Sequence, residues 1–456
     1  MQIPRKVFKA YDIRGLVGEE LTPLFAYDLG KAFATFLREE IAKEQPVVTV
    51  GRDMRPSSFE LQRMLMEGLV LSGCKVIDVG LVSTPAFYFG VSHTKADGGI
   101  MVSASHNPAA YNGFKMTRER AFPISGDTGI KELARIMETE SFDEVAQAGV
   151  IEEFEGIPEL HVDAEMAFAN IHGLPRYNVV ADSANGMGAQ YLDIAFKIID
   201  IEPTRMFWEL DGNFPNHEAD PFKEENTVEL RKKVVEMKAD IGIATDGDGD
   251  RIFFVDDTGE TIDPSIVRGL VAKEMLKRHP GATICYDIRP GKITEDMIKE
   301  AGGIPYVTRV GHSLIKEKMR ETGAVFAGES SGHFFMKMPE GSYEAPVTVM
   351  LIMLFEMMAA QGKKLSEIIA PLKKYVHSGE INFHVEDKAA AILRLKEKYQ
   401  DGRQNELDGL SVDFPHFWFN VRPSNTESLL RLNLEAVDAV TMAAMRDEIA
   451  GIITAA

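Results

Sequence analysis

Three acidic residues alternate with glycine in the segment Thr-Asp-Gly-Asp-Gly-Asp-Arg at residues 245–251. In an extended loop alternate side chains point the same way, and the glycines permit the curvature that brings the carboxylates together. Clustered carboxylates repel one another unless a cation lies among them, and hard oxygen ligands select Mg²⁺ or Ca²⁺. We therefore predict that Asp246, Asp248 and Asp250 bind a metal; the alternative is a solvated acidic turn. Arg251 stands at position six, where an EF-hand has glycine, so an EF-hand is disfavoured.

A candidate nucleophile lies in the segment Ser-Ala-Ser-His-Asn-Pro at residues 103–108. The proline disfavours helical backbone at Asn107 and favours an extended or turn conformation. A serine hydroxyl is a weak nucleophile unless a base or a metal activates it. Ser105 is the candidate because the acidic segment occupies the matching place in the next copy of a repeat. The alternative is that Ser105 and Asn107 only satisfy backbone groups of a turn.

A third polar segment, Gly-Glu-Ser-Ser-Gly-His at residues 328–333, matches the G-x-S-x-G pattern of a hydrolase nucleophile elbow. Such an elbow leads from a strand into a helix, whereas the Phe-Phe-Met that follows here is typical of a strand. We therefore reject the elbow and keep a serine hydrolase using Ser330 only as a remote alternative. Glu329, Ser331 and His333 offer alternating acceptors and donors suited to sugar hydroxyls.

A fourth segment, Arg-Pro-Ser-Asn-Thr-Glu at residues 422–427, lies between two strand-like runs. Its arginine, hydroxyls, amide and loop N–H groups could form a phosphate cradle, and the alternative is a hairpin turn with an exposed arginine.

The pair Gly186 and Gly188 resembles part of a dinucleotide fingerprint, but Tyr191 replaces the third glycine, so a tight strand-to-helix turn is favoured.

The elements that must position these loops form a repeat of three copies, each with four strand-like runs and helix-like segments between them. Alternating strands and helices predict α/β domains with mixed, largely parallel sheets, whose ligands bind beyond the carboxyl ends of the strands. The loops after the third run of each copy would then converge on a central cleft. The runs lie at residues 47–50, 75–79, 99–102 and 113–116; 178–181, 203–208, 241–244 and 251–255; and 282–286, 305–308, 324–327 and 333–336.

The pattern changes after about residue 371 and predicts a smaller C-terminal α+β domain. Its predicted strands cover residues 378–385, 410–414, 417–421 and 429–434, and its predicted helices cover 388–399 and 441–453. We predict domains at residues 1–152 (nucleophile), 153–256 (metal), 257–369 (sugar) and 370–456 (phosphate).

The charge balance restricts the partners. The 456-residue chain has 70 Asp and Glu against 50 Lys and Arg, a net charge of −20. This balance argues against nucleic acid as a partner, and a local cationic cluster must attract any phosphate. No apolar run reaches the ~18 residues of a membrane helix. Two distant cysteines and a charged N-terminus without a signal-peptide pattern are typical of a cytoplasmic protein. We expect no membrane partner.

These four segments, in their order along the chain and together with Ala-Tyr-Asp-Ile-Arg-Gly at residues 10–15, resemble the α-D-phosphohexomutases over essentially the whole chain. Within that family the sequence is most similar to the bacterial phosphomannomutase/phosphoglucomutase group. The resemblance implies reversible transfer of phosphate between the 1- and 6-positions of a hexose phosphate, mannose or glucose, through a phosphoserine and a hexose 1,6-bisphosphate intermediate. It also implies Mg²⁺ as cofactor, hexose 1,6-bisphosphate as activator and a monomer or small homo-oligomer. A phosphoglucosamine mutase is the nearest alternative, and a non-catalytic sugar-phosphate binding protein is a remote one.

The resemblance further implies a role for each matching residue. Ser105 would carry the phosphoryl group and complete the metal site of the three aspartates through a phosphate oxygen. Arg251 would assist beside the metal, and the proton-transfer group stays open among Lys115, His312 and His333. The residues implied around the phosphoserine, the sugar and the substrate phosphate are, in turn, Tyr11 and Arg14; His312, Glu329 and Ser331; and Arg422, Ser424, Asn425 and Thr426.

Overall fold

A computed structural model describes residues 3–169, 171, 173–289, 291–338, 343–423 and 429–455. The chain divides into two compact units. The first contains Met1–Ile262 and Ser331–Ser366, and the second contains Asp263–Ser330 and Glu367–Ala456. The four domain boundaries expected from the sequence stay predictions.

The first sheet of the first unit is mixed. Val47–Arg52 pairs in parallel with the strands on both of its sides, whereas Tyr111–Arg118 is antiparallel to its neighbours. Every residue of Gly98–Val102 is buried, as expected for a strand covered on both faces. The strand order is Ile13–Leu16, Tyr111–Arg118, Gly98–Val102, Val47–Arg52, Lys75–Leu81, Ile151–Glu153.

The second sheet of this unit repeats the arrangement. Val179–Asp182 is parallel to both neighbours, and Ile252–Asp256 returns antiparallel to Ile241–Thr245, with the acidic loop between these two strands. The strand order is Ile252–Asp256, Ile241–Thr245, Val179–Asp182, Thr204–Met206. The unit also contains the antiparallel pair Phe334–Lys337 and Tyr343–Glu344.

Helices cover both sheets of the first unit. Proline at the first helical position and a capping Thr22 begin the helix Pro23–Ile41. Val347–Gln361 is apolar on nearly all sides and is correspondingly buried. The helices of this unit are Pro23–Ile41, Ser58–Leu71, Thr84–His93, Lys131–Thr139, Ile157–Met166, Gly188–Ile198, Val228–Met237 and Val347–Gln361.

The second unit combines a parallel and an antiparallel sheet. Thr283–Asp287 pairs in parallel with Ile304–Thr308 and with Phe326–Gly328. The antiparallel sheet has the order Val376–His377, Leu430–Ala436, Phe417–Pro423, Leu410–Asp413, Arg403–Asn405, with Ile381–Phe383 also paired to Leu430–Ala436. The helices are Pro264–Arg278, Lys292–Glu300, His312–Thr322, Lys388–Lys398 and Ala439–Thr454, and Leu365–Ile369 spans the change from the first unit to the second.

Short turns of 3-10 or π-helix complete the secondary structure, at Arg5–Val7, Glu119–Ala121, Gly126–Ile130, Glu224–Thr227 and Ala370–Leu372. No helix in the described ranges is long and apolar enough to cross a membrane.

The predicted fold class is confirmed, because mixed, mostly parallel sheets are followed by a smaller antiparallel α+β region. The strand Phe334–Lys337 after the Gly328 segment agrees with the rejection of a hydrolase elbow. Of the single strand predicted over residues 378–385, only Ile381–Phe383 forms a strand. A separate short strand, Val376–His377, precedes it, and Gly379 adopts a left-handed φ of 69° between the two.

Candidate functional site

The three aspartates of the acidic loop, residues 245–251, lie together. Asp246, Asp248 and Asp250 are all buried, and one carboxylate oxygen of each lies within 4.8 Å of the others. The hairpin between two buried strands creates this cluster, and Gly249 makes its turn with a φ of 77°. Three buried acids at this separation need positive charge close by.

Cationic groups from distant parts of the chain supply that charge. Lys115 Nζ lies 2.6 Å from Asp248 Oδ2 and 2.7 Å from Asp250 Oδ2. Burial would raise the pKa of Asp250, but Lys115 and His333 outweigh burial and hold that pKa well below its usual value. Asp246 lacks such close cations, so burial and the charges of Asp248 and Asp250 raise its pKa well above the usual value.

The donor set fits a divalent cation. Asp248 Oδ2 accepts hydrogen bonds from Lys115 and from Thr84 Oγ1, the latter at 2.5 Å. Asp248 Oδ1 is buried and has no hydrogen-bond donor within the described part of the chain. A single lysine cannot neutralise three carboxylates, and the oxygen ligands are those that Mg²⁺ and Ca²⁺ prefer. A cation bound at Asp248 Oδ1 would satisfy that oxygen and reduce the remaining repulsion.

The serine loop, residues 103–108, meets the acidic loop directly. Ser105 is only 1% exposed, and its Oγ donates to Asp246 Oδ2 at 2.9 Å. Its backbone is left-handed, with a φ of 52°, a conformation that costs energy for a residue other than glycine and persists only where contacts impose it. The Oγ also lies 3.3 Å from Nδ1 of His106. Burial, with the charges of Arg251 and Arg14, holds the pKa of His106 well below its usual value, so this ring is neutral.

Glycines permit this close approach of two main chains. A Cβ on Gly247 would lie 2.5 Å from the Ser105 carbonyl oxygen. On the other side of the acidic loop, a Cβ on Gly186 would lie 2.8 Å from the carbonyl oxygen of Gly247, and one on Gly188 would lie 2.0 Å from Thr245 Oγ1. The Gly186–Gly188 turn therefore supports the acidic loop as a tight strand-to-helix connection.

Arginine and histidine side chains surround this centre in the first unit. Arg251 Nε lies 3.7 Å from Asp246 Oδ2 and 3.3 Å from His333 Nε2. His333 Nε2 also lies 3.0 Å from Asp250 Oδ1, and its Nδ1 is 2.9 Å from Ser331 Oγ. The end of the Gly328 segment is thus placed against the acidic loop.

Arg14 reaches the serine loop from the first strand. Its Nη1 donates to Asn107 Oδ1 at 2.6 Å and to the Ala104 carbonyl at 3.2 Å, while Asp12 holds its Nε at 2.8 Å. Tyr11 is partly exposed, two residues before the strand that carries Arg14.

The second unit holds the other predicted site residues. Glu329 is buried, and its Oε1 accepts a hydrogen bond from the Gly311 N–H at 2.8 Å. His312, which is partly buried, is the first residue of the helix His312–Thr322. Ser330 donates to Asp287, which Arg268 also holds at 2.6 Å, so the serine of the rejected hydrolase elbow stabilises the loop backbone.

Arg422 is buried, which excludes the exposed hairpin arginine that was the alternative. Its side chain is 4% exposed, and its Nη2 donates to Glu380 at 2.7 Å. Its Nη1 has no hydrogen-bond partner among the described residues. Burial lowers the pKa of Arg422, against the opposing charge of Glu380. The predicted partners Ser424, Asn425 and Thr426 lie outside the described residues.

Two residues at this centre were absent from the sequence prediction. Thr84 donates its hydroxyl to Asp248 and its N–H to the Asp248 carbonyl at 3.0 Å. Arg55 binds the backbone of the serine loop. Both follow the carboxyl end of a strand in the first copy of the repeat, and that position was the available signal.

Comparison with known families gives matches along the whole chain. Models of phosphoglucomutase/phosphomannomutase match in order: alpha/beta/alpha domain I at residues 5–144, domain II at 161–259, domain III at 263–375 and the C-terminal domain at 380–452.

Individual relatives are similar over nearly their full length. A protein of Xanthomonas campestris pv. campestris named phosphohexose mutases is 39% identical, with 98% of each chain covered. A phosphomannomutase/phosphoglucomutase of Pseudomonas aeruginosa is 36% identical over 95% of this chain and 92% of its own. The crystal structure of a phosphoglucomutase/phosphomannomutase family protein from Burkholderia thailandensis superimposes with a TM-score of 0.90 at 34% identity, covering 99% of this chain and 98% of that one.

The substitution Gly247→Ala tests the close approach of the two loops. The added methyl group would overlap the Ser105 carbonyl, so we expect a destabilisation of about 1–3 kcal/mol. Scanning calorimetry compares this variant with Gly451→Ala, where a Cβ would meet nothing within 4 Å. A Gly247→Ala protein that melts like the wild type would contradict the described contact.

The substitution Asp248→Asn tests the cation site. Replacing one carboxylate should weaken binding of a divalent cation at least about 10-fold. Isothermal titration with Mg²⁺ and with Ca²⁺ measures this change. Asp257→Asn is the matched control, because that carboxylate accepts from the Ser366 N–H, away from the cluster. Equal affinities in wild type and Asp248→Asn would refute the site.

Proposed function

The chain belongs to the phosphoglucomutase/phosphomannomutase family and is a hexose phosphate mutase, and we propose that its reaction proceeds through a phosphoryl group on Ser105. The observation that carries the proposal is the 2.9 Å contact of Ser105 Oγ with Asp246, inside a cluster of three buried carboxylates. The substrates we propose are the 1- and 6-phosphates of mannose and glucose.

The proposed reaction has two transfers. In the first, the free hydroxyl of a hexose phosphate attacks the phosphorus on Ser105, so a new O–P bond forms and the serine Oγ–P bond breaks. The hydroxyl proton passes to a base, and the serine oxygen takes up a proton. The product is a hexose 1,6-bisphosphate, which changes its orientation in the site without leaving it. In the second transfer the Ser105 hydroxyl attacks the other phosphorus and gives its proton to a base. The sugar O–P bond breaks, the sugar oxygen takes up a proton, and the isomeric hexose phosphate leaves.

The charge on the transferred group requires compensation. We propose that Asp246, Asp248 and Asp250 hold Mg²⁺ together with an oxygen of the phosphoserine; when bound, the ion neutralises charge on the phosphoryl group. Arg251, which contacts Asp246 and His333 from one side, would offer its guanidinium to the phosphoryl oxygens.

Lys115 and His333 are the proposed proton-transfer groups that contact the acidic loop, and His312 is the candidate from the second unit. Burial disfavours a charge on Lys115, but Asp248 and Asp250 outweigh burial and raise the pKa of Lys115 above its usual value. A lysine in that state is protonated and can donate a proton to a leaving oxygen. Lys115 can accept a proton only after Asp248 and Asp250 pair with another cation, because their charges then no longer raise its pKa.

Substrate binding is assigned to residues of the phosphate and sugar loops and of the N-terminal segment. Arg422, with Ser424, Asn425 and Thr426, would hold the phosphate that is not being transferred. An arginine recognises phosphate without regard to the carbon that carries it, so one site serves both the 1- and the 6-phosphate. Glu329 and Ser331 would bind sugar hydroxyls, and Tyr11 and Arg14 would lie near the phosphoserine.

The alternatives are weaker. A phosphoglucosamine mutase is not favoured, because the relatives described above carry the names phosphohexose mutases and phosphomannomutase/phosphoglucomutase. A non-catalytic binding protein would never carry phosphate on Ser105. We further propose hexose 1,6-bisphosphate as activator, a cytoplasmic location and a monomer or small homo-oligomer.

The substitution Ser105→Ala tests the phosphoryl carrier. Without the hydroxyl no covalent intermediate forms, so turnover should fall at least about 10³-fold. Intact-mass measurement should show the mass of one phosphate on the wild type and on the control Ser103→Ala, but not on Ser105→Ala. Wild-type turnover in Ser105→Ala, or a persisting phosphate mass, would defeat the assignment.

The substitution Arg422→Ala tests the phosphate site. Charge-assisted hydrogen bonds contribute about 1.5–3 kcal/mol each, so KM for the hexose phosphate should rise roughly 10- to 100-fold. Arg403→Ala is the control, because that exposed arginine pairs with Asp413 on a neighbouring strand. An unchanged KM in Arg422→Ala would count against the cradle.

A further inference from the structure

Arg55 is enclosed beneath the serine loop. It is 1% exposed and lies three residues beyond the end of the strand Val47–Arg52. Its guanidinium donates to four main-chain carbonyls of the serine loop and the residues that follow it. Nη2 binds the carbonyls of Ser105 at 2.8 Å and Asn107 at 2.6 Å, and Nη1 binds those of Pro108 at 2.9 Å and Tyr111 at 3.0 Å.

Three of these carbonyls belong to the irregular segment between two strands, and the fourth, that of Tyr111, is at the start of the second strand. Buried carbonyls need hydrogen-bond donors, and a loop without a regular ladder must obtain them elsewhere. A guanidinium carries its donors in a rigid planar fork, so it determines the relative positions of the carbonyls it binds. A lysine ammonium at the same place has three donors and no fork, and cannot reproduce the arrangement.

Arg55 is itself held from several directions. Asp53 Oδ1 accepts from the Arg55 N–H at 3.1 Å and from Ser58 Oγ at 2.6 Å. Asp53 Oδ2 lies 3.2 Å from Arg55 Nε, an ion pair that falls short of hydrogen-bond geometry. The ring of Phe214 stacks 5.1 Å from the guanidinium carbon. A Cβ on Gly212 would lie 2.4 Å from Arg55 Cα, so the chain at Gly212 packs against the main chain of Arg55.

The Ser105 carbonyl is therefore confined between two groups. Arg55 binds it from one side, and Gly247 of the acidic loop packs against it from the other. The left-handed backbone of Ser105 is strained by itself and requires such contacts. Any shift of this carbonyl moves the Ser105 hydroxyl relative to Asp246, 2.9 Å away.

We propose that Arg55 is a positioning residue for phosphoryl transfer, which holds the Ser105 backbone so that the hydroxyl faces the acidic cluster. This inference rests on the proposed role of Ser105. Arg55 binds main-chain carbonyls of the loop, so its effect on the Ser105 hydroxyl passes through the main chain. Misplacement of a reacting group by about 1 Å can cost 10²-fold in rate, so the chemical step is where its loss should appear.

The test uses the full-length variants Arg55→Lys and Arg55→Ala. Glucose 1,6-bisphosphate is mixed with dephosphorylated protein, and the rate at which Ser105 gains phosphate is followed by intact mass. We expect this rate and kcat to fall about 10²-fold in Arg55→Lys, with KM for the hexose phosphate and Mg²⁺ affinity within about threefold of the wild type. In Arg55→Ala, added guanidinium at non-denaturing concentration should restore part of the phosphorylation rate.

Two arginines provide matched controls. Arg52 is a partly exposed arginine in the same segment, where it stacks on Phe59, so Arg52→Lys should leave the phosphorylation rate unchanged. Arg268 is also 1% exposed and paired with an aspartate, but lies in the second unit. Arg268→Lys should lower the melting temperature without guanidinium-dependent recovery of Ser105 phosphorylation.

Each outcome decides the proposal. A wild-type phosphorylation rate in Arg55→Lys would overturn it. So would a rise in KM together with lower Mg²⁺ affinity and a lower melting temperature, without rescue by guanidinium. Failure of both variants to fold would also overturn it, since a positioning residue is removable with the fold intact. A wild-type protein that never gains phosphate on Ser105 would instead refute the proposed function, and this control is read in the same experiment.

Discussion

The mutual repulsion of three buried carboxylates is the constraint on which this structure depends. Asp246, Asp248 and Asp250 bring their oxygens within 4.8 Å of one another in a buried hairpin. In a site that excludes water such charges are costly unless cations stand beside them. Lys115 and Arg251 approach for this reason, and the same cluster retains a buried oxygen suited to a divalent ion.

The same principle explains how an acidic chain can handle phosphate. With a net charge of −20, the chain repels anions at long range, so its cations must act locally. Arg14 is held by Asp12, Arg289 by Asp287 and Arg422 by Glu380, each in a partly or fully buried pair. These carboxylates keep each guanidinium oriented.

All three copies of the repeat stabilise a loop with an aspartate at the end of the first strand, although the loops differ in chemistry. An aspartate stands at or just beyond the end of the first strand of each copy: Asp53, Asp182 and Asp287. Asp53 accepts the Arg55 N–H, Asp182 accepts the Ala184 N–H at 2.8 Å, and Asp287 accepts the Ser330 N–H at 3.2 Å. A carboxylate at that place accepts a hydrogen bond from the backbone beyond the strand and so fixes the loop. The residues next to it provide the chemistry.

The sequence by itself determined the elements and the polar loops between them. Apolar runs at strand length and the Asp-Gly-Asp-Gly-Asp pattern are local features, so the buried strands and the acidic hairpin could be predicted from short segments. Only tertiary structure decided that Lys115 bridges Asp248 and Asp250, that Thr84 binds Asp248 from 164 positions away, and that Arg55 collects four carbonyls. Those contacts join segments far apart in the chain, and no spacing within the sequence records which distant side chain packing will bring to a given oxygen.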